Sequence, residues 1–350
     1  MGARRYVVYG AGAVGCALGG MLRRSGAPVV FVARGAQLDA LKRRGLTLRT
    51  PTRTEHVHVQ AAGAPHEVGF EERDIVLLCM KSQDTAAAVE ALDGCLPRGT
   101  PIICAQNGVV NERLAAARFD AVYGMMVFAP VSFLQPGEVM LYAEPVLGGL
   151  DVGRYPIGAD ALVGDVVRDL TAAGFDARPE PRVLRLKYGK LLGNLGNALQ
   201  ALGGAAALAS PLLGALQDEA LACYRAGSID FVPLEDLYRR ASNVLELPIQ
   251  GMARAGGSSW QSLARGVGSI EADHLNGEIV RLGEQLGVPT PYNRALVALS
   301  SRAAAERWAP EHLSMAEIEA MLTSTTSTAP GSEAEPHAQG PKTSRGRKPS

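Results

Sequence analysis

A glycine-rich hexapeptide near the start of the chain is the first feature that could do chemistry. It reads Gly10-Ala11-Gly12-Ala13-Val14-Gly15, matches G-x-G-x-x-G and directly follows a short apolar run typical of a strand. The first glycine would allow a tight turn, the second a close approach of the backbone to a pyrophosphate, and the third close packing of the following helix. Because a helix N-terminus attracts anions, the pattern predicts a dinucleotide-binding loop that includes Ala13 and Val14.

The residue after the second predicted strand bears on which dinucleotide binds. NAD sites place Asp or Glu there, on the ribose 2′-hydroxyl. Here the run 29–33 is followed by Arg34, and the first acidic residue after it is Asp39. A guanidinium pairs with a 2′-phosphate that a carboxylate would repel, so the sequence predicts NADP(H) rather than NAD(H). The alternative is a solvated loop arginine.

Two further polar residues follow buried strands. Lys81 comes directly after the apolar run 75–80, and Asn107 follows the run 101–105 within Gln106-Asn107-Gly108. Ligands of open α/β sheets bind beyond the carboxyl ends of the strands, so we expect Lys81 and Asn107 at the cofactor cleft. For Asn107 the alternative is an ordinary Asn-Gly turn.

Two predicted helices carry polar groups beside their apolar faces. Lys190, Asn194 and Asn197 share one side of a helix that starts near residue 187, and two amides next to a single lysine indicate a polar cleft. Glu271 heads the apolar stripe of a helix that starts near residue 270, where a carboxylate must be paired or lie in a pocket. Near a nicotinamide, such a lysine and glutamate would form a general acid and its orienting partner. The alternatives are amides that only join helices and a carboxylate that only complements a helix dipole.

The elements that must position these residues divide the chain into two parts and a tail. Apolar β-rich runs alternate with helical stretches at the start, which predicts a doubly wound, mainly parallel α/β sheet in a Rossmann-like domain over residues 1–178. Further strands are expected at 139–142 and 146–149, a helix at 159–173 and a proline-bearing linker at 178–182. Helices without a strand predict an all-α domain over residues 183–322. Residues 323–350 lack large apolar side chains and are predicted to be disordered.

Composition excludes several classes of protein. The 350 residues contain 35 Lys plus Arg and 35 Asp plus Glu, and this zero net charge argues against general nucleic-acid or membrane-surface binding. The five cysteines have no close pair, which argues against a disulfide framework and a Cys-type zinc site. No metal site is expected from His56 and His58 either. No signal peptide or membrane span is recognisable, so the expected location is the cytoplasm.

Taken in order, the motifs resemble those of the ketopantoate reductase family (2-dehydropantoate 2-reductases) from residue 6 to about residue 299. The resemblance is carried by the glycine loop, the Ala-Arg-Gly after strand two, and then Lys81, Gln106-Asn107-Gly108, Lys190 with Asn194 and Asn197, Ser258-Ser259, Glu271-x-Asp273 and Leu275-Asn276-Gly277.

The resemblance implies NADPH-dependent reduction of ketopantoate, a small 2-oxo acid, to pantoate in pantothenate biosynthesis. Lys190 would polarise the ketone and protonate the alkoxide, and Glu271 would hydrogen-bond Lys190 or the product hydroxyl. The other implied roles are substrate orientation by Asn107, Asn194 and Asn197, substrate binding by Ser259, and cofactor contacts by Lys81 and Asn107.

Departures from the family pattern keep other functions open. Asn197 lies three residues after Asn194 where the family has a spacing of four, and Gly256 or Gly257 and Trp260 replace Asn and Met around the serine pair. These changes would reshape the substrate end of the pocket, so a paralogue acting on another 2-oxo acid or ketone is the alternative. A non-catalytic NADP sensor would have no use for Lys190 and Glu271. The sequence leaves the oligomeric state open, a homodimer included.

Overall fold

A mainly parallel sheet of eight strands forms the N-terminal part of the computed structural model, which describes residues 4–266 and 268–327. Its strand order is β12-β11-β8-β7-β6-β1-β2-β5, and only β8 and β11 pair antiparallel. The predicted fold class is therefore confirmed. The strands are β1 (Arg5–Tyr9), β2 (Val29–Val32), β5 (Gln60–Ala62), β6 (Asp74–Leu78), β7 (Ile102–Cys104), β8 (Val122–Phe128), β11 (Gly149–Arg154) and β12 (Asp176–Pro179).

Helices cover both faces of this sheet because its strands are apolar on both sides. Alternate residues of β1 face opposite ways: Tyr6 and Val8 join a core with helices α1 (Ala13–Arg24) and α5 (Ala161–Ala172). Val7 joins the core on the other face with α3 (Thr85–Leu92) and α4 (Asn111–Ala116), while α2 (Gly35–Arg44) follows β2. The carboxyl ends of β1, β2, β6 and β7 consequently meet at one edge, where the predicted cofactor residues lie.

A second sheet of four strands was not expected from the sequence. It runs in the order β4-β3-β10-β9 and consists of β3 (Leu46–Arg49), β4 (Thr54–Val57), β9 (Val131–Ser132) and β10 (Glu138–Leu141). Only β10 corresponds to a predicted strand. The others are short; β3 alternates apolar with polar or charged residues, and β4 has a single apolar residue, so neither has the continuous apolar run typical of the main sheet.

Two predictions around residues 146–182 were wrong. The strand expected at 146–149 instead runs over Gly149–Arg154, because buried Asp151 is paired with Arg240 and so sits inside a strand. The linker expected at 178–182 contributes Arg178 and Pro179 to β12. This strand is at the edge of the sheet, where the missing N–H of proline is tolerated.

The C-terminal part is helical, as expected, with two changes at the candidate site. The helix expected near residue 187 begins at Val183 and is interrupted after Asn194, giving α6 (Val183–Asn194) and α7 (Asn197–Gly203). The helix expected near residue 270 is a 3₁₀ turn, Glu271–His274, followed by α11. The remaining helices are α8 (Pro211–Ala226), α9 (Leu234–Arg240), α10 (Ser258–Ala264), α11 (Asn276–Leu286), α12 (Pro291–Ala305) and α13 (Met315–Ser327).

The end of the chain differs in part from the expected disordered tail. Helix α13 continues to Ser327, five residues into the segment predicted to be disordered at 323–350. Residues 328–350 lie outside the described residues. None of the helices in the described ranges is long and apolar enough to cross a membrane.

Candidate active site

The glycine loop between β1 and α1 has room for a ligand only at its central glycine. Gly10 has φ +102°, and a Cβ there would lie 2.3 Å from the backbone nitrogen of Met80. A Cβ on Gly15 would lie 2.1 Å from the Gly10 carbonyl oxygen, so both positions require glycine. A Cβ on Gly12 would meet nothing within 4 Å. The loop therefore leaves open space at the N-terminus of α1, which has no acidic residue in its first turn.

A cleft of about 280 Å³ extends from this loop along the carboxyl edge of the sheet. Gly10, Gly12, Arg34 and Lys81 line it, together with Asp84 from the 3₁₀ turn before α3. The Arg34 side chain is 83% exposed and its Nη2 lies 3.2 Å from the Asp84 carboxylate. The glycines leave room for a phosphate, and the Arg34 guanidinium is exposed to solvent. Together these features fit the adenosine half of a dinucleotide.

Lys81 connects this cleft to the helical part. Its ammonium donates a hydrogen bond to the hydroxyl of Ser262 on α10, and Ser262 in turn donates to the backbone carbonyl of Ser258 at 2.8 Å. Burial lowers the pKa of Lys81, while the charge of Glu271 opposes that fall. The predicted cofactor residue thus also joins the two parts of the molecule.

A second cavity, of about 430 Å³, lies between the sheet and the helices. Ala13 and Val14 of the glycine loop form one wall. The structure brings four predicted residues together around the same space, namely Asn107, Lys190, Asn194 and Asn197. Interruption of the helix after Asn194 leaves both asparagines at the cavity. The Nδ2 of Asn194 is buried without an acceptor among the described residues, which marks it as a donor for a bound molecule.

Lys190 is the cation at the centre of this cavity. Its ammonium donates to Oδ1 of Asn107 at 2.8 Å and to the backbone carbonyl of Val127 on β8. An ammonium has three N–H donors, so one remains for a ligand. Burial and the nearby charge of Lys187 lower the pKa of Lys190 to about 8, and Glu271 opposes the shift. A lysine with such a pKa is charged at neutral pH and readily gives up its proton.

Glu271 does not contact Lys190, contrary to one of the roles expected for it. Its carboxylate, 5% exposed, accepts hydrogen bonds from the backbone N–H of Ser82 at 3.1 Å and from the Ser82 hydroxyl at 3.3 Å. The 3₁₀ turn directs the side chain toward the loop after β6 rather than toward α6. From there its charge acts on both Lys190 and Lys81 through space.

A buried asparagine that the sequence did not single out holds Asn107 in place. Asn111, at the first position of α4, is fully buried and donates to the backbone carbonyl of Asn107 at 3.0 Å and to the Ser82 hydroxyl at 3.2 Å. Its Oδ1 accepts from the hydroxyl of Thr85 at 2.7 Å. An asparagine at a helix start normally indicates a cap, so no signal in the sequence distinguished this one.

The serine pair and Trp260 are placed differently from what the resemblance implied. Ser258 lines the cavity, whereas Ser259, one position further along α10, is 1% exposed and does not border it. The indole of Trp260 donates to the Glu311 carboxylate at 3.0 Å and packs on Gly256, where a Cβ would lie 2.3 Å from the ring. Trp260 therefore does not reshape the cavity.

Two glutamines and an ion pair complete the cavity. Gln200 follows Asn197 by three residues and continues the stripe of Lys190, so helical spacing could have found it. Its Oε1 accepts from the backbone N–H of Gly257 at 2.8 Å. Gln261 of α10 also lines the cavity. The pair Arg254–Glu246, 3.0 Å apart, had no signal in the sequence because the loop before α10 has no periodic pattern.

This combination defines a class of protein. A doubly wound sheet, a phosphate-compatible glycine loop and a lysine facing the same cleft are the parts of a dinucleotide-dependent oxidoreductase. Comparison with known families is more specific. Residues 6–155 match the model described as "Ketopantoate reductase PanE/ApbA", and residues 182–304 match its C-terminal counterpart. The chain belongs to the ketopantoate reductase family, an oxidoreductase family that uses NADP(H).

Individual relatives align with this chain over nearly their whole length. The 2-dehydropantoate 2-reductase of Archaeoglobus fulgidus is 27% identical over 310 residues, which are 85% of this chain and 97% of that protein. The crystal structure of a PanE/ApbA family ketopantoate reductase from Ralstonia eutropha JMP134 has a TM-score of 0.71 and 31% identity, covering 87% of this chain and 99% of the other. D-mandelate dehydrogenase with NADH and anilino(oxo)acetate shares the fold, with a TM-score of 0.73, 20% identity and coverage of 87% and 99%.

Proposed function

We propose that this chain reduces 2-dehydropantoate to pantoate, with NADPH as the hydride donor and Lys190 as the general acid. The observation that carries the proposal is the position of the Lys190 ammonium. It is hydrogen-bonded to Asn107 in a cavity that Ala13 and Val14 of the glycine loop also line. A proton donor and a cofactor-compatible loop thus face the same space, as reduction of a ketone requires.

The residues that would hold the cofactor lie along the first cleft, apart from Asn107, which lines the second cavity. Gly12 and the N-terminus of α1 would take the pyrophosphate, and Arg34 would pair with the 2′-phosphate. Lys81 and Asn107 would contact the nicotinamide half. When bound, the reduced nicotinamide supplies a hydride to the keto carbon, which leaves NADP⁺ and an oxygen that needs one proton.

Lys190 would supply that proton. Its remaining N–H would polarise the ketone and then protonate the developing alkoxide, a contribution that grows as negative charge accumulates on the oxygen. Asn107 holds the ammonium at 2.8 Å, and Asn194 and Asn197 would orient the substrate with their amides. At the substrate's carboxylate end we place Ser258 instead of Ser259, because Ser258 borders the cavity.

A second candidate, reduction of a bulkier apolar 2-oxo acid, is favoured by the outer wall of the cavity. Phe128, Leu208, Leu237 and Tyr238 line this wall, and two of them are also partly open to solvent: Leu208 is 38% and Tyr238 56% exposed. In an apolar pocket, one additional methylene changes binding by only ~1–3 kcal/mol, so a wall of this kind discriminates weakly between related 2-oxo acids.

One assay separates these candidates. Oxidation of NADPH is followed by its absorbance with ketopantoate, pyruvate, 2-oxoisovalerate and phenylpyruvate as substrates. We expect the highest kcat/KM with ketopantoate. A higher kcat/KM with phenylpyruvate would support the second candidate, and binding of NADPH without turnover of any 2-oxo acid would contradict both. Lys190→Ala serves as the inactive control for each substrate.

A further inference from the structure

A buried ion pair between Lys187 and Glu112 lies within one helical turn of Lys190, the proposed acid. It has no role in the reduction steps described above. Lys187 on α6 is 3% exposed and Glu112 on α4 is fully buried, and the Lys187 ammonium donates to the Glu112 carboxylate. Burying two charges costs desolvation energy that their attraction often fails to recover. Stabilisation of the fold is therefore a weak explanation for this pair.

The position of Lys187 points to Lys190 instead. The two lysines are three residues apart on α6, so they project from the same side of the helix. Both line a small space of about 10 Å³, and Asn107 and Asn194 line it as well. A second ammonium thus lies near the first, and because Lys187 is only 3% exposed, little water surrounds its charge to screen it.

We propose that Lys187 is a positioning residue whose buried charge, held by Glu112, makes the Lys190 ammonium a stronger acid. Two like charges in a poorly screened site each favour loss of the other's proton. The Lys187 ammonium is paired with the Glu112 carboxylate, whereas the Lys190 ammonium lines the cavity and donates only to neutral oxygens. The inference rests on the proposed role of Lys190 as the acid.

The other charges around Lys190 agree with this assignment. From the turn before α11, Glu271 favours the charged ammonium, and Lys187 acts in the opposite sense. From β8 and the loop after β7, Lys190 meets only neutral oxygens, those of Val127 and Asn107. Elsewhere in the cavity, Arg254 and Glu246 offset each other as an ion pair. Lys187 is therefore the cation that lowers the pKa of Lys190 beyond the effect of burial.

The test removes both charges together, so that neither is left buried alone. In Lys187→Met/Glu112→Leu, the titration midpoint of Lys190 should rise by about one pH unit or more. Lys187→Arg keeps the charge and should retain the wild-type midpoint. The midpoint is read directly by NMR of ¹³C-labelled lysine side chains, with the Lys190 signal assigned by its loss in Lys190→Ala. In parallel, the basic limb of the kcat–pH profile with ketopantoate should move by the same amount.

A matched control removes a buried ion pair at the opposite edge of the sheet. Arg5 and Asp74 lie at the amino ends of β1 and β6, with the Asp74 side chain fully buried, and Arg5→Met/Asp74→Leu should leave the Lys190 midpoint unchanged. If Lys187→Met/Glu112→Leu does not fold, as judged by circular dichroism, Lys187→Gln/Glu112→Gln replaces it, since two amides can retain a hydrogen bond.

The outcomes separate this inference from the proposed function. An unchanged Lys190 midpoint in a folded double variant would overturn the inference. A midpoint that moves in the NMR titration while the kinetic limb stays fixed would support the coupling of the two lysines and refute the acid role of Lys190. If the NMR midpoint and the basic limb of the kcat–pH profile move by the same amount, the coupling of the two lysines and the acid role of Lys190 are both supported.

Discussion

The rate of ketone reduction should fall as the pH rises through about 8, because the pKa of Lys190 is lowered to about 8. A lowered lysine pKa means that the ammonium form, which is the proposed proton donor, is lost above that value. At pH 7 about nine-tenths of Lys190 is protonated, and at pH 10 only about one part in a hundred is. A lysine with the ordinary pKa of about 10.4 would still be mostly protonated at pH 10. Single-turnover rates should therefore drop about a hundredfold between pH 7 and pH 10.

The assay is single-turnover NADPH oxidation with saturating ketopantoate from pH 6 to pH 10, which prevents slow product release from hiding the chemical step. Lys190→Ala should lower the rate about 10²- to 10⁴-fold and remove the basic limb, as expected for loss of a general acid. NADPH affinity should change little, because Lys190 does not line the cleft beside Arg34. Lys42→Ala, at an exposed lysine of α2, is the matched control.

Two results would refute this reasoning. A rate that stays level to pH 10 would show that the buried ammonium does not govern proton transfer. A Lys190→Ala enzyme within tenfold of the wild-type rate would show that water or another group supplies the proton.

Four other substitutions test separate parts of the site. Arg34→Asp should shift the ratio of NADPH to NADH affinity toward NADH, measured by fluorescence titration, and an unchanged ratio would remove Arg34 from the 2′-phosphate site. Gly12→Ala should keep the melting temperature within a few degrees, since its Cβ meets nothing, yet weaken NADPH binding at least about tenfold; Gly15→Ala should instead destabilise the fold. Glu271→Gln should move the basic limb of the kcat–pH profile to lower pH, because Glu271 favours the Lys190 ammonium; a shift to higher pH would contradict its electrostatic role.

The parts of the fold that sequence reasoning could find are those in which burial dominates. After its first residue, Asp74, strand β6 is entirely apolar because helices cover both faces of the sheet, and such a continuous apolar run predicts a strand. The same reasoning placed Lys81 and Asn107 at the ligand edge, since both follow such strands. It failed at β11, where Asp151 is buried in the strand only because Arg240, almost 90 residues later, pairs with it.

The direction in which side chains point was the second feature of the site that the sequence could not predict. The sequence shows that Ser258 and Ser259 are neighbours, but which of them borders the cavity depends on where α10 begins and how it is rotated. Likewise, the partner of Glu271 is Ser82, nearly 190 residues earlier, and no spacing predicts such a contact. Helical periodicity placed Lys190 correctly at the cavity because that inference needed one helix alone.

The hydrogen bonds of the site cross between the two parts of the molecule in both directions, and this has a consequence for catalysis. Lys190 of the helical part donates to Asn107 and Val127 of the sheet part, while Lys81 of the sheet part donates to Ser262 of α10. Glu271 adds a third bridge through Ser82. Opening the cleft between the two parts would break the contacts that orient the acid and, by admitting water, would screen the charges that tune its pKa. If Lys190 is the acid, as proposed, we expect it to be oriented and its pKa lowered only while these bridges are intact, so proton transfer should precede any opening of the cleft.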